Sequence, residues 1–374
     1  MSSAKNQKHE NVPRANLIEL VRLFGWLGII GIGGPAAHIA MMRRRVVGPD
    51  RWVSEDEFTQ MVGACALVPG PNSTEMAMAL GARRAGWRGL LLSGAAFIIP
   101  AFAIVCTVAF VYEDVLTSAL IANIRRWLVP IVAAIVLDAL FKLRTTAIRD
   151  WRDGLVVAGA LIFAVLGVPE LLVLLVIGVL AIVLRARPTP KTLSVAAMPL
   201  TLAGFTAQLA TVSPSLLKIF LVFLQIGSVI YGSGYVLLVF LDSEIVDRGW
   251  ISTEVLLDAI SVGQFTPGPV FTTATFIGWH LSGFTGAVVA TLGIFGSSFV
   301  FASFISRVVS WAQKSSMFAA FLRGVSSASI ALMAAVLWRL ADEAFVDIWA
   351  IATFAVAFVI IRLRANKSQR MTDV

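Results

Sequence analysis

The chain has 374 residues, of which 58% are hydrophobic and 14% are charged, and its formal net charge is +8 at pH 7. Soluble domains carry roughly 25% charged residues, so this composition excludes an ordinary water-soluble protein and predicts a protein embedded in the lipid bilayer. The basic excess is typical of the cytoplasmic loops of membrane proteins. Because the Lys and Arg runs lack interleaved aromatic residues and a soluble domain, we predict no nucleic-acid partner.

Long apolar stretches follow a polar N-terminal segment, residues 1–16, and predict an all-α integral membrane protein. A helix needs about 20 apolar residues to cross roughly 30 Å of hydrocarbon. The longest stretch divides into two short spans at Gly167-Val168-Pro169, where glycine and proline interrupt a helix. The predicted spans are residues 17–41, 89–111, 117–141, 153–186, 215–241, 284–306, 318–340 and 345–362.

A Pro-Gly-Pro tripeptide occurs twice, at residues 69–71 and 267–269, and the two copies are 198 residues apart. Setting each residue n against residue n+198 without gaps pairs further rare residues, and this self-similarity indicates an internal duplication. The pairs include Trp52 with Trp250, Ser54 with Ser252, Thr74 with Thr272, and Phe97 with Phe295. We therefore predict a first membrane repeat over residues 17–192, a linker over 193–214, a second repeat over 215–364 and a tail over 365–374.

The charges of the connecting loops predict which loops share a side of the membrane, because cytoplasmic loops collect Lys and Arg. The basic loops, predicted inside, are residues 42–52, 83–88, 142–152, 185–191, 307–314 and the tail from Arg362. The acidic connections, predicted outside, are Glu113-Asp114, 242–254 and 342–347. Both flanks of the first Pro-Gly-Pro segment are then inside, which predicts a re-entrant hairpin.

Equivalent loops of the two repeats carry opposite charge, since the basic loop 42–52 corresponds to the acidic loop 242–254. The sequence therefore predicts two inverted-topology repeats, each with a Pro-Gly-Pro broken helix or re-entrant hairpin, an arrangement that recurs in secondary transporters. The polar N-terminal segment contains Lys5 and Lys8 and would then lie outside, against the charge rule. In the alternative topology each Pro-Gly-Pro segment crosses the membrane fully, which places the acidic loop 342–347 inside.

Each Pro-Gly-Pro tripeptide should interrupt a helix, since proline lacks an N–H donor and glycine adds backbone freedom. A helix that restarts after the break presents unpaired N–H groups, neighbouring hydroxyls and the positive end of its dipole, which together form an anion site. A simple kink is the structural alternative, and close helix packing is the alternative for the glycine-rich stretches. The predicted substrate-binding residues are Gly33, Gly34, Pro69, Gly70, Pro71, Asn72, Ser73, Thr74, Gly232, Ser233, Pro267, Gly268, Pro269, Thr272 and Thr273.

Three stretches are specific enough to suggest a family. They are Gly33-Gly34-Pro35-Ala36-Ala37-His38, Pro69-Gly70-Pro71-Asn72-Ser73-Thr74-Glu75 and Gly263-Gln264-Phe265-Thr266-Pro267-Gly268-Pro269. In these residues, and over about residues 17–362 as a whole, the chain resembles the long-chain, two-domain type of the chromate ion transporter family. The resemblance implies a secondary active transporter that exports chromate across the bacterial plasma (inner) membrane, draws on the proton gradient and confers chromate resistance.

Ionisable residues within the apolar segments are candidates for proton coupling, because charge in hydrocarbon tends to face a cavity or a partner. Glu75 follows the first Pro-Gly-Pro and is predicted to carry the coupling proton, with an ion pair to Arg83 or Arg84 as the alternative. His38 is a candidate for proton handling or anion contact, with simple packing as the alternative.

Arginine suits oxyanions because its planar guanidinium gives paired hydrogen bonds. Arg83, Arg84, Arg125 and Arg323 are therefore predicted anion contacts or gates, and the last two are 198 residues apart. The alternative role for each is that of an anchor at the membrane interface.

Sulfate or another tetrahedral oxyanion is the alternative substrate. An integral-membrane enzyme or a scaffold is the other alternative, but the sequence has no His-Glu-x-x-His, Gly-x-Ser-x-Gly or Walker-type motif. We therefore predict no enzyme activity, no cofactor and no metal site, and we expect Cys65 and Cys106 to be buried thiols. The expected partners are the oxyanion and the lipid bilayer, and a homodimer is compatible with the sequence.

Overall fold

The computed structural model describes residues 17–48, 52–66, 68–115, 118–185, 214–230, 236–339, 341 and 345–372. The first predicted repeat contains α1 (Leu17–Ile30), α2 (Gly34–Val46), α3 (Glu55–Cys65), α4 (Asn72–Phe110), α5 (Ser118–Ala147), α6 (Trp151–Val165) and α7 (Glu170–Arg185). The second contains α8 (Leu216–Val229), α9 (Leu237–Leu241), α10 (Thr253–Phe265), α11 (Thr273–Lys314), α12 (Ser316–Arg339) and α13 (Ile348–Thr372). A short 3₁₀ helix, Val270–Thr272, precedes α11.

Four helical segments in the described ranges are long and apolar enough to cross a bilayer, and they are Asn72–Glu113, Ala119–Arg144, Val270–Ile305 and Met317–Trp338. Shorter apolar helices are Glu170–Leu184, Leu216–Val229 and Ile348–Leu363. The protein is therefore an all-α, multi-pass membrane protein. The predicted division of residues 153–186 is confirmed, because Gly167 lies between α6 and α7 with a φ of 71°, a conformation that ends a helix.

The long helix α4 is folded back on itself. Its backbone leaves helical geometry at Gly86, whose φ is 61°. A side chain on Gly81 would meet the Gly89 carbonyl, and a side chain on Gly89 would meet the Gly81 carbonyl. Residues eight apart on a continuous helix would be about 12 Å apart, so the first arm (residues 72–84) and the second arm (residues 87–110) are antiparallel and in contact.

The long helix α11 folds in the same way. It leaves helical geometry at Gly283, whose φ is 58°, and a side chain on Gly278 would meet the backbone of the returning arm. Its first arm is residues 273–281 and its second arm is residues 284–314. Glycine permits the close approach of the two arms, as it does between membrane helices in general.

Helices α1 and α2 also form a hairpin. The chain breaks at residues 31–33, where Gly33 has a φ of 113°. Helix α2 then runs back toward the start of α1, and the Arg45 guanidinium lies 4.6 Å from the centre of the Trp26 ring. The hairpin has its tip at the glycines and both of its open ends on one face of the protein.

The predicted single spans 17–41 and 215–241 are therefore wrong, because each consists of two short helices separated by a break. Apolar length does not distinguish a glycine that interrupts a helix from one that packs closely. The start of α1 lies beside the basic loop 42–52, since the Trp52 indole N–H donates to Glu19 at 3.2 Å. The conflict between the charge rule and an outside position of Lys5 and Lys8 arises only if α1 crosses the membrane. Helix α1 has 14 residues and ends at the break, so it does not cross.

The first Pro-Gly-Pro turn (residues 69–71) is the tip of a second hairpin, formed by α3 and the first arm of α4. Near this tip the Cys65 and Met76 sulfur atoms are 4.0 Å apart. At the open end the Arg83 guanidinium donates to Glu57 at 2.6 Å. Both open ends thus lie on one face, as expected for a re-entrant segment.

Two faces of the protein are marked by their ion pairs. The basic face holds the open end of the first Pro-Gly-Pro hairpin, and the acidic face lies about 36 Å away, at the far end of the second arm of α4. On the acidic face His280 contacts Glu113 at 2.7 Å and Arg126 pairs with Asp347 at 2.6 Å. The acidic connections at Glu113 and at Asp347, which loop charge assigns to the same side of the membrane, therefore both pair with partners on this face.

Equivalent positions of the two repeats lie on opposite faces. Arg83 and His280 each precede by three residues the glycine at which the long helix folds, Gly86 in α4 and Gly283 in α11. Arg83 lies on the basic face, whereas His280 lies on the acidic face. This opposition favours the predicted inverted arrangement.

The spacing between equivalent residues of the two repeats is not 198 throughout, as the ungapped comparison assumes. Gly28 packs on the Phe97 carbonyl, and Gly227 packs in the same way on the Ile294 carbonyl. The glycines are 199 residues apart and their partners are 197 apart. The predicted pairing of Phe97 with Phe295 is therefore wrong by one residue, because single-residue length changes escape an ungapped comparison.

Candidate functional site

Each Pro-Gly-Pro turn is hydrogen-bonded to the helix break of the opposite repeat. The Gly70 N–H donates to the Ile230 carbonyl at 2.8 Å, and in the second turn (residues 267–269) the Gly268 N–H donates to the Gly31 carbonyl at 2.8 Å. Non-helical backbone at membrane depth needs such partners, because hydrocarbon offers none. The helix interruptions of both repeats therefore meet in one region of the protein.

The first turn leads directly into α4, with Pro71 at the position before the first helical residue. The N–H groups of Thr74 and Glu75 donate to the Pro71 carbonyl at 2.7 and 3.1 Å. The N–H groups of Asn72 and Ser73 have no acceptor within the helix, as at any helix start. The dipole of the first arm adds partial positive charge at the same point.

Polar side chains surround this helix start. We define the first-turn cluster as Asn72, Ser73, Thr74 and Glu75 of the first repeat and Ser298 of the second, and all but Asn72 are at most 1% exposed. Within the described ranges, the Asn72 Oδ1, the Thr74 and Ser298 hydroxyls and both Glu75 carboxyl oxygens lack a hydrogen-bond partner. Unpaired buried polar atoms are few in native proteins, so their concentration here indicates a binding site.

Gly70 allows Glu75 and Ser298 to approach one another. Its φ of 129° is a conformation that favours glycine. A side chain at this position would also meet the Glu75 Oε1 and lie 3.0 Å from the Ser298 Oγ. Glycine is therefore required here both by the backbone and by the two polar groups that border the same space.

His38 connects the cluster to the break in the first repeat. Its Nε2 lies 2.9 Å from the Gly31 carbonyl, its Nδ1 lies 3.3 Å from the Ser73 hydroxyl, and its buried ring meets Phe97 edge-on at 5.3 Å. A carbonyl only accepts, so Nε2 carries the hydrogen, and in the neutral ring Nδ1 accepts from Ser73. The same carbonyl also accepts the Gly268 N–H, so His38 lies at the junction of both turns.

The second turn has hydroxyls that are already paired. Thr272 and Thr273 each donate to the carbonyl three residues earlier, at 2.8 Å. A side chain on Gly268 would meet the methyl group of Ala101 and lie 3.3 Å from the Gly28 carbonyl oxygen, and its nearest side-chain neighbour is therefore apolar. The two turns therefore share a backbone arrangement but differ in the side chains that face it.

Two of the predicted arginines lie at the basic face. Arg83 pairs with Glu57 at 2.6 Å, and Arg84 lies 3.7 Å from Glu19. The first arm of α4 separates them from the first turn by roughly 20 Å. The alternative in which Glu75 pairs with Arg83 or Arg84 is therefore wrong, because all three occupy one arm but opposite ends of it.

Arg125 lies on the acidic face in what we define as the inter-repeat network, which also contains Tyr112, Glu254 and Asp258. The Arg125 guanidinium donates to the Asp258 carboxylate at 2.6 Å and also pairs with Glu254. The Tyr112 hydroxyl donates to the same Asp258 carboxylate. Carboxylates thus already bind the Arg125 guanidinium, and its predicted role as an anion contact or gate stays a prediction. Arg323 is exposed and lies on α12.

The remaining predicted binding residues lie at the α1–α2 hairpin or outside the described residues. Gly33 and Gly34 form the tip of the α1–α2 hairpin, with φ values of 113° and 75°. Gly232 and Ser233 lie outside the described residues, so their roles stay predictions.

Sequence reasoning missed Ser298, Tyr112 and Asp258. In the ungapped register Ser298 is set against Pro100, and a lone hydroxyl in an apolar helix is a weak signal. Asp258 carried a stronger signal, because an acidic residue within an apolar helix usually has a partner. That partner, Arg125, belongs to the other repeat and is not adjacent in sequence.

A family model described as chromate transporter matches residues 18–183 and 217–370. The chain belongs to the chromate transporter family. A probable chromate transport protein of Synechococcus elongatus is 30% identical to it over 349 residues, which cover 90% of this chain and 87% of that protein. Chromate transport proteins of Pseudomonas aeruginosa and Cupriavidus metallidurans are each 28% identical, covering 86% and 95% of this chain and 80% and 90% of those proteins. No solved structure matches the chain.

Each matched range of the chain contains one Pro-Gly-Pro turn. The first-turn cluster takes residues from both ranges, since Asn72 to Glu75 lie in the first and Ser298 lies in the second. A family of oxyanion transporters thus accounts for a buried cluster of hydrogen-bonding groups placed between two membrane repeats.

Proposed function

We propose that this chromate transporter is a secondary active exporter that moves chromate out of the bacterial cytoplasm across the inner membrane and so confers resistance. The first-turn cluster carries the proposal, because it concentrates polar groups at a buried helix start between the repeats. The family and the names of the relatives support chromate as the substrate. Sulfate or another tetrahedral oxyanion is the alternative, since the same donors would bind it.

A tetrahedral dianion presents four acceptor oxygens, and the first turn offers donors from several directions. These are the N–H groups of Asn72 and Ser73, the Thr74 hydroxyl and the Ser298 hydroxyl. Hydrogen bonds to charged acceptors contribute about 1.5–3 kcal/mol each, and the helix dipole contributes typically ~0.3–1 kcal/mol more. The cluster as defined contains no cationic side chain, which suits a carrier that must release the anion as well as bind it.

Glu75 links anion binding to protonation. An ionised carboxylate within about 5 Å of a dianion would repel it by several kcal/mol at an effective dielectric constant near 20. A protonated Glu75 instead offers an O–H donor, so the anion and one proton bind together. A dianion that leaves with one proton carries one net negative charge outward, and a membrane potential that is negative inside favours this movement by about 2.3 kcal/mol per 100 mV. The proton itself leaves against an inward pH gradient, so export in this scheme draws on the electrical part of the proton gradient.

The inverted arrangement of the repeats supplies a route for alternating access. Members of the first-turn cluster are buried, so the path must open toward one face at a time. On the acidic face the inter-repeat network closes this path, because Arg125 of one repeat binds Glu254 and Asp258 of the other. Separation of these ion pairs would open the outer side in this proposal.

Flux measurements with the purified full-length protein in proteoliposomes test the proposal. We expect saturable chromate movement that increases when the imposed potential is negative on the side from which chromate leaves. Chromate movement no faster than in protein-free liposomes would refute the function. Competition by unlabelled sulfate separates the alternatives, since equal affinities for the two anions would favour a general oxyanion transporter.

A further inference from the structure

We propose that the protein has a single oxyanion site, placed asymmetrically at the first Pro-Gly-Pro turn, and that Ser298 of the second repeat is a binding residue of that site. The inference rests on the proposed function and makes it more specific. The duplication alone would suggest two equivalent sites, one at each turn, and the described side chains contradict that symmetry.

Among the described residues, the buried helix hydroxyls without a hydrogen-bond partner belong to Thr74, Ser93, Ser297 and Ser298. Of these three serines, Ser298 is the one that faces the first turn, since Ser93 lies next to Gly81 and Ser297 next to Gly227. Serine in a helix commonly donates to a carbonyl one turn earlier, as Ser228, Ser261 and Ser329 do here at 2.6, 2.8 and 2.9 Å. Ser298 is fully buried, yet its hydroxyl has no hydrogen-bond partner in the described part of the chain. It points toward Gly70, where it would lie 3.0 Å from an added side chain.

The equivalent position in the first repeat carries no polar group. Ala101 is 197 residues before Ser298, the same spacing that relates Gly81 to Gly278 in the folded helices. Ala101 faces Gly268 as Ser298 faces Gly70. The first turn therefore meets a hydroxyl from the opposite repeat, whereas the second turn meets a methyl group.

The hydroxyls next to the two turns show the same asymmetry. Thr74 has no hydrogen-bond partner within the described ranges, while Thr272 and Thr273 donate to their own backbone. Among the described residues, the first turn also has a carboxyl group beside it that can accept a proton, Glu75, and the second turn does not. The residues of the second repeat that correspond to Glu75 are 272 and 273, for spacings of 197 and 198. Both are threonines.

An anion at this place would contact both repeats at once. The start of α4 belongs to the first repeat, and Ser298 lies on the second arm of α11 in the other. An oxyanion bound between them joins the repeats through its own oxygens, so that loading of the site stabilises the arrangement in which the repeats are close. Through Ser298 the bound substrate would contact the second repeat as well as the first. In a transporter with inverted repeats these are the two parts that move relative to each other.

Variants of Ser298 in the full-length protein test this assignment, with radiolabelled chromate and sulfate as the probes. Ser298→Ala removes the donor, and Ser298→Cys keeps the volume but donates weakly. Loss of a hydrogen bond to a charged acceptor should raise the KM for both anions about tenfold or more, with little change in maximal flux. Sulfate should also raise the melting temperature of the wild type in detergent and fail to raise that of Ser298→Ala at the same concentration.

Ser297→Ala is the matched control, because Ser297 is buried on the same arm but lies next to Gly227, not Gly70. An unchanged KM in both Ser298 variants would overturn the assignment while the proposed function stands. Equal impairment of Ser297→Ala and Ser298→Ala would also overturn it, because it would indicate packing. Wild-type protein that moves neither anion would instead refute the proposed function itself.

Discussion

The two Pro-Gly-Pro hairpins share a scaffold and differ in what their side chains do. Each has a glycine with positive φ, 129° at Gly70 and 97° at Gly268, and each glycine N–H binds the helix break of the opposite repeat. The first hairpin carries unpaired polar groups at its tip and an exposed ion pair at its open end. The second has paired hydroxyls at its tip and the inter-repeat network at its open end. In the proposed mechanism the first copy therefore holds the binding chemistry and the second holds the gate.

This difference shows which features a duplicated membrane unit must keep. Proline, glycine and the reciprocal N–H to carbonyl bonds define a backbone that hydrocarbon would not otherwise tolerate. Side chains that only line this backbone are not constrained in this way. Examples are the equivalent pairs Thr74 and Thr272, and Ser298 and Ala101. They are therefore the positions at which two copies can acquire different roles.

The open ends of the two hairpins should respond most differently to loss of an arginine. Arg125→Ala leaves Asp258, which is 8% exposed, without its cation, and we expect the free energy of unfolding to fall by about 3 kcal/mol. Arg83→Ala breaks a pair in which both partners are at least one-third exposed, and the expected loss is below ~1 kcal/mol. Denaturation of the purified protein in mixed micelles measures both. Equal losses would show that the inter-repeat network is no stronger than a surface pair.

A change at Glu75 should alter the pH dependence of anion affinity. In the proposed mechanism the neutral carboxyl binds the dianion and the ionised form repels it, so affinity should fall by up to about tenfold per unit as the pH rises above the pKa of Glu75. Glu75→Gln is permanently neutral and should remove this dependence while preserving affinity at low pH. Sulfate is the better probe, because it stays a dianion over this range. A Glu75→Gln variant with the wild-type profile would assign the coupling proton elsewhere.

Matched hydroxyl replacements sharpen the comparison of the two tips. Thr74→Val and Thr272→Val each exchange a hydroxyl for a methyl group of similar size. We expect the KM for chromate to rise about tenfold for Thr74→Val, which loses a donor to a charged acceptor. The rise for Thr272→Val should stay below about twofold, because its hydroxyl already serves the Pro269 carbonyl. Similar effects of both replacements would restore the symmetrical, two-turn site that the sequence alone suggests.

The smallest expected effect tests the scaffold that the two hairpins share. Ser54 and Ser252 cap α3 and α10, accepting from the N–H groups of Glu57 and Val255 at 3.2 and 3.3 Å. Replacement of either serine by alanine should cost about 1 kcal/mol of stability and leave the KM for chromate unchanged. Thermal unfolding and flux of the two variants, measured side by side, check the equality. A change of KM in one variant alone would mean that the scaffold is not equivalent in the two repeats.

Much of the fold follows from local features of the sequence. Apolar length predicts the bilayer, and the Pro-Gly-Pro tripeptides and Gly167 mark real interruptions, because proline and positive-φ glycine act on their own backbone. Loop charge predicts which connections share a face, because the charge of a loop is set by its own residues. The interruption at Gly86 falls within the predicted basic loop 83–88. The break at Gly33 escapes this reading, since a glycine in an apolar run indicates close packing as readily as an interruption.

The residues of the proposed binding site can be divided in the same way, into those that local sequence predicts and those that it does not. The sequence by itself determined the helix start, with Asn72, Ser73, Thr74 and Glu75 placed in order after Pro71. Only the tertiary structure decided that Ser298 joins them from the opposite repeat, that the hydroxyls of the second turn are already used, and that Arg125 is held by carboxylates. Hydrogen bonds and ion pairs depend on which groups meet in space, and chain segments more than a hundred residues apart meet only when the whole fold has formed.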